Sequence, residues 1–225
     1  MSEDFLEALD SLVAKKHLLK HPFYVLWSRG RLSPENIREY AISYYPHVAA
    51  FPRYVSGVHA NCEDAVLRQE LLENLIEEER GPNNHPALWR RFAAALGASE
   101  SDLQTRPRTA EVAETIAEFS RATRRGSVPE GLAALYAYES QIPEIAKTKR
   151  EGLAAFYGVD DAEAIRFFTV HEKADVWHRQ VEREALGRVA ETAEDRARAL
   201  AAAGRCLDAL NRALDGVMRE NNLAA

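Results

Sequence analysis

Residues 167–178 read Phe-Phe-Thr-Val-His-Glu-Lys-Ala-Asp-Val-Trp-His, inside a run from Ala162 to Val189 with no proline and no glycine before Gly187. Such a run predicts one long helix, capped at its start by Asp160 or Asp161. At about 100° per residue, His171, Asp175 and His178 fall within roughly 60° of one another on one face. Phe167, Phe168 and Val170 set apolar side chains around the upper end of that face. Two imidazoles and a carboxylate stacked over about two turns suit a borderline or hard divalent metal. The plain alternative is a surface helix with scattered polar residues.

Outside this stretch almost every segment shows the 3.6-residue apolar period, and none alternates convincingly over five residues. The expectation is an all-α protein of eight to ten helices, a single domain over residues 1–225. The 225-residue chain is long enough for one substantial core and shows no repeat or linker that would divide it. His21-Pro22 opens a short helix that ends at Gly30. Ser33-Pro34 starts another, which Pro46 and Pro52 should break into kinked pieces. Asp64 caps a helix that runs to Glu77-Glu78-Glu79, and the turn Gly81-Pro82-Asn83-Asn84 leads into a helix begun by His85-Pro86. Thr109 caps the next. Ser127 and Pro129 start one that reaches Tyr157, and Thr192 to Asp195 reads as a capping box for the last. Leu200, Ala203, Leu207, Leu210, Leu214 and Val217 of that last helix form a seam for packing, either within the chain or in a homodimer.

Composition narrows the function classes. With 29 Lys and Arg against 35 Asp and Glu, the net charge of −6 gives no electrostatic reason to expect nucleic acid or anionic membrane as a partner. No apolar run approaches the ~18 residues of a membrane span. The acidic, amphipathic first ten residues lack the pattern of a secretion signal. Cys62 and Cys206 form no CxxC and no disulfide framework, which fits a reducing cytoplasm.

A metal held by one helix needs partners from others. Glu78 and His85 flank the Gly-Pro turn seven residues apart, so both can point inward from adjacent helix ends. An acid at a helix C-terminus opposes the macrodipole and calls for a compensating partner. Glu139 lies on an otherwise apolar and aromatic face, four residues before Pro143, whose ring conflicts with the carbonyl of residue 139. The helix should distort at the turn that carries this acid. Glu78, His85, Glu139, His171, Asp175 and His178 make a set rich in both nitrogen and carboxylate, suited to iron or manganese working with oxygen. His17, His21, His47 and His59 read as surface or structural residues.

These six residues, with Tyr138 before Glu139 and Gln141-Ile-Pro143-Glu-Ile-Ala-Lys147-Thr-Lys149 after it, resemble the heme-oxygenase-like dimetal proteins. Within that superfamily, Tyr24, Tyr40, Tyr138 and Lys149 are similar to the CADD-type para-aminobenzoate synthases. The likeness runs from His21-Pro22-Phe23-Tyr24 to the last helix and implies a PqqC- and TenA-like helical bundle. It also implies an enzyme that consumes itself. The residue matching Tyr24 gives the ring of 4-aminobenzoate, the residue matching Lys149 gives the amino nitrogen, and Tyr40 and Tyr138 lie on a radical path. Two metal ions, Fe/Fe or Mn/Fe, O2 and a reductant are implied as well.

Four other readings compete. A dimetal oxygenase of the same fold could act on an external small molecule. A cofactorless PqqC-like oxidase would call for basic residues where this chain has inward acids. Thiaminase-II-like hydrolysis would rest on Cys62. A non-enzymatic interaction module has only the family's death-domain association behind it.

Overall fold

Hydroxyl side chains set several helix starts. Ser33, Ser99 and Thr192 each accept a hydrogen bond from the backbone N–H three residues on, while Asn36, Asp102 and Asp195 accept one in return from the capping residue's own N–H. Asp64, Asn84 and Thr109 cap in the simpler one-way form. The computed structural model describes residues 2–224, by backbone alone at 2 and at 173–176. Among the described residues there are eleven α-helices and no strand.

The helices are α1 (Ser2–Lys15), α2 (Pro22–Ser28), α3 (Pro34–Asn61), α4 (Ala65–Glu79), α5 (His85–Ala95) and α6 (Glu100–Thr105). They continue as α7 (Ala110–Arg125), α8 (Val128–Glu139), α9 (Ile142–Phe156), α10 (Arg166–Val189) and α11 (Ala193–Glu220), with one 3-10 turn at Leu18–Lys20. The count exceeds the expected eight to ten for two reasons. The six-residue α6 carries too few apolar positions to show a period, and the stretch from Ser127 to Tyr157 is two helices. No helix is long and apolar enough to cross a membrane.

The centre of the bundle is α8, where Leu132, Ala133, Ala134, Leu135 and Ala137 are fully buried. The seam of α11 packs onto α8 and α7 inside the chain, with Leu207, Leu210 and Leu214 at most 1% exposed. Withdrawing each such leucine from water contributes about 1.5–3 kcal/mol. The residues that had suggested a homodimer are therefore spent on the chain's own core. Opposite them, α3 lies against α4, α5 and α7, and α10 against α8, α9 and α5.

The prolines behave in two ways. Pro46 and Pro52 do not break α3, which runs unbroken over 28 residues. The missing N–H is tolerated because this helix is held on several sides by neighbours, with Val48, Phe51, Tyr54, Val55 and Val58 all buried. At Pro143 the expected distortion occurs: α8 stops at Glu139 and α9 starts at Ile142. Gln141, fully buried, bridges the break. Its Nε2 donates to the Ala137 carbonyl at 2.6 Å and its Oε1 accepts from the Leu18 N–H at 2.8 Å.

The start of α10 also differs from expectation. Asp161 accepts from the N–H groups of Glu163 and Ala164 and so caps the turn before the helix. The helix itself begins at Arg166, behind Ile165, without a side-chain cap.

Candidate metal centre

Glu78 lies in the last turn of α4, His85 opens α5, and the positive-φ Gly81 between them turns the chain so that both side chains face the core. His85 Nδ1 lies 2.7 Å from Glu78 Oε1. His171 of α10 meets the same point, its ring centroid 4.1 Å from that of His85. One ligand atom from each of the three lies within 4.8 Å of the other two, and all three residues are buried. His171 Nδ1 donates to the Phe167 carbonyl at 2.6 Å, which fixes the tautomer and leaves Nε2 as its metal-binding nitrogen. Two imidazoles and a carboxylate, buried and convergent, fit a divalent metal.

Glu139 and His178 form a second pair, with His178 Nδ1 3.5 Å from Glu139 Oε2. His178 Nε2 is 3.5 Å from Glu77 Oε2, a half-exposed acid. Asn74 donates to both oxygens of Glu139, at 3.1 and 3.2 Å. The sequence reading does not single out Asn74, although its place four residues before Glu78 puts it on the same face of α4. The expectation for Asp175 falls on a side chain outside the described residues.

Beyond Phe167 and Phe168 lies the tyrosine–lysine cluster. Lys149 of α9 is 5% exposed and its Nζ donates to Tyr40 Oη at 2.6 Å. Tyr40 Oη lies 3.4 Å from Tyr24 Oη. The lysine nitrogen sits between aromatic rings, 4.9 Å from the centroid of Tyr40, 5.2 Å from Trp89, 5.5 Å from both Tyr24 and Phe168, and 5.8 Å from Tyr44. Burial pushes the ammonium down to about 7. Burial, reinforced by the neighbouring Tyr44 phenol, raises the Tyr24 phenol. Tyr40 and Tyr138 rise for the same first cause, so all three stay protonated.

Trp89 joins the two halves. It lies on α5 one turn after His85 and donates its indole N–H to the Ala41 carbonyl at 2.8 Å. Its ring packs 4.9 Å from Phe167, which itself lies 4.1 Å from His171, and 5.9 Å from Tyr40. Tyr138 reaches the cluster from the other side, edge-on to His47 at 5.1 Å. His47 is buried among five aromatic rings and its imidazole is driven down to about 3, so it is a neutral core residue. His17 and His21 are structural too, accepting the backbone N–H groups of Leu19 and Phe23. Cys62 and Cys206 are buried free thiols, and burial pushes Cys206 up to about 12, far from a nucleophile.

An all-α bundle with a buried Glu–His–His cluster beside oxidisable side chains defines a helical metalloprotein built for redox chemistry. The chain belongs to the family of iron-containing redox enzymes, whose model matches residues 38–211. It is 43% identical over 222 residues to a 4-aminobenzoate synthase of Nitrosomonas europaea, covering 95% of this chain and 90% of that protein. The 4-aminobenzoate synthase of Chlamydia trachomatis serovar D is also 43% identical, over 180 residues that cover 80% of this chain and 78% of the relative. A TenA homolog from Pseudomonas syringae pv. tomato shares the fold, with a TM-score of 0.83 at 18% identity over 96% of this chain and 92% of its own.

Proposed function

We propose that this oxidoreductase is a self-sacrificing 4-aminobenzoate synthase, with the ring of the product taken from Tyr24 and its nitrogen from Lys149. One observation carries the reading. The chain's own Trp89, Phe167 and Phe168 pack between the metal cluster and Lys149, and the amine donates to Tyr40, whose hydroxyl lies 3.4 Å from that of Tyr24. The 43% identity to two 4-aminobenzoate synthases supports it independently.

Two ions fit the donors. Glu78, His85 and His171 would hold one; Glu139 and His178 would hold the other, with Asp175 assigned to it by sequence spacing alone. Mixed imidazole and carboxylate ligands suit Fe/Fe or Mn/Fe. When bound, such a pair supplies the oxidising power drawn from O2 and an external reductant. The protein's own part is to prepare the reactants. The aromatic box excludes water and lets Lys149 lose its proton near neutrality, so that its nitrogen lone pair can form a bond. The raised Tyr24 phenol keeps its proton until oxidation removes it, and the Tyr40 hydroxyl holds amine and phenol together. Tyr138 completes the tyrosine set beside Glu139. Free thiols at Cys62 and Cys206 fit a cytoplasmic setting.

The test is where the product's atoms originate. Protein made with ring-labelled tyrosine, then given iron, reductant and O2 in unlabelled buffer, should release labelled 4-aminobenzoate. Lysine labelled at its side-chain nitrogen should pass that label on. Yield should stop near one product per chain, because each chain has a single Tyr24. Unlabelled product, or many turnovers per chain, would move the assignment to an oxygenase of external substrates.

A further inference from the structure

Between α4 and α10 lies a cavity of about 10 Å³, room for one small molecule and no more. Leu67 and Leu71 of α4 and Val181 of α10 line it, with the fully buried Leu132 of α8 beneath them. The lining runs from the half-exposed Trp177 inward to the buried His178 and Asn74, and most of it is apolar. Its polar groups are Glu70, which pairs with Arg188 at 2.8 Å, and Asn74, His178 and Glu182 at the inner end. The cavity thus joins the surface to the Glu139–His178 half of the site. The Trp177 ring stands 5.4 Å from the His178 imidazole, and Asn74 holds Glu139.

Size and polarity together narrow the occupant. A space for one small molecule excludes any organic substrate. Three leucines, a valine and an indole offer no hydrogen bonds along most of the wall, and cavities of that kind take up apolar guests in preference to water. The cleft over Asp10, His17, Glu144, Arg179 and Arg183 is the opposite case, charged and open to solvent. Among the reactants of the proposed reaction, dioxygen is both apolar and this small.

We propose that this cavity is a dioxygen site, which admits O2 past Trp177 and Val181 and holds it beside His178, an inference that rests on the O2-dependent reading above but not on which molecule is oxidised. The side chains only bind the gas; no bond forms or breaks in the cavity. Phenylalanine in place of Leu71 or of Val181 would fill the space. Val181 is half-buried, so the larger ring costs the fold less there than at the buried Leu71.

The experiment has two arms, each run on wild type, Val181→Phe and Leu71→Phe; should one variant fail to fold, the other decides. In the first, crystals of metal-free protein are pressurised with xenon, an apolar atom that stands in for O2. Wild type should hold a xenon atom among Leu71, Leu132 and Val181, and the variants should not. In the second, iron-loaded protein with reductant is mixed with O2 at graded concentrations and O2 consumption is followed. The variants should need about tenfold more O2 to reach half the maximal rate, with the maximal rate and the metal content unchanged. A cavity that keeps ordered water and refuses xenon would overturn the proposal. So would an unchanged O2 dependence in a variant that excludes xenon, or a loss of metal and maximal rate with no change in O2 dependence, the mark of a packing defect. Protein that shows the expected O2 dependence but releases no 4-aminobenzoate would remove the self-sacrificing reading and uphold the dioxygen site.

Discussion

Lys149 Nζ donates a 2.6 Å hydrogen bond to Tyr40 Oη, and among the described residues no carboxylate offsets the burial that depresses its pKa. A lysine so placed is held against its own chemistry. Its nitrogen is exchanged from water into a ring of aromatic faces, which attract a cation only weakly compared with the hydration it has given up.

That cost sets a pH dependence. The folded-state pKa of about 7 lies below the ordinary lysine value of 10.5, so between these values the unfolded chain binds the proton and the folded chain does not. Stability from this group therefore rises with pH across that window, and the penalty is full below it. Lys149→Met, which removes the charge and fills the space, should be more stable than wild type at pH 7 by several kcal/mol, at about 1.4 kcal/mol for each tenfold loss of proton affinity. The gap should close as the pH approaches 10.5. Urea melts of both proteins at four pH values check this, and a constant gap would contradict it.

His171→Ala removes an imidazole from the three-residue cluster without touching the apolar face of α10. Metal content should fall by at least one equivalent while the helical circular-dichroism spectrum survives. A variant that keeps two full equivalents of iron would count against the cluster as a metal site.

Gly152→Ala should separate chemistry from metal binding. A Cβ at residue 152 would come within 2.7 Å of Trp27 Nε1 and 2.8 Å of its Cδ1, and both are parts of one rigid buried ring. Trp27 lies one turn after Tyr24 on α2, and Gly152 one turn after Lys149 on α9. Their close contact sets the spacing of Tyr24 and Lys149, the two reactants of the proposed reaction. The alanine variant should bind metal like wild type but form at least tenfold less product, as misplacement by about 1 Å does elsewhere. Metal titration and product assay on the same preparation check both halves.

Leu210→Ala empties a fully buried position where α11 packs in the core. It should destabilise the protein by about 2–5 kcal/mol in urea denaturation, with the oligomeric state unchanged.

Much of this site could be read from sequence because helices turn residue spacing into direction. The three-and-four rhythm from His171 to His178 and the glycine-proline turn between Glu78 and His85 each fix which side chains share a face. Pro143 was legible for a related reason, since a proline four residues on removes the helical donor of the Glu139 carbonyl. Pro46 and Pro52 misled because the packing that tolerates them comes from α4, α5 and α7, far away in sequence. Asn74 and Trp89 were harder to find. Each is an ordinary residue for its helix, and its partners become apparent only once α4 lies against α8, and α5 against α3 and α10.

The family match begins at residue 38, while Tyr24 stands on the seven-residue α2 before it. Gln141 holds the 3-10 turn before α2 at the Leu18 N–H, and the helix is clasped by His21 Nε2 at 3.0 Å from Asp215 and by Phe23 and Trp27 against Tyr40. It thus docks on the redox core much as a cognate peptide docks in a groove, with the peptide bond as tether. Under the proposed function the tether takes over the work of a Michaelis constant. The reactant is present at an effective concentration set by chain length, and saturation is reached once, at folding.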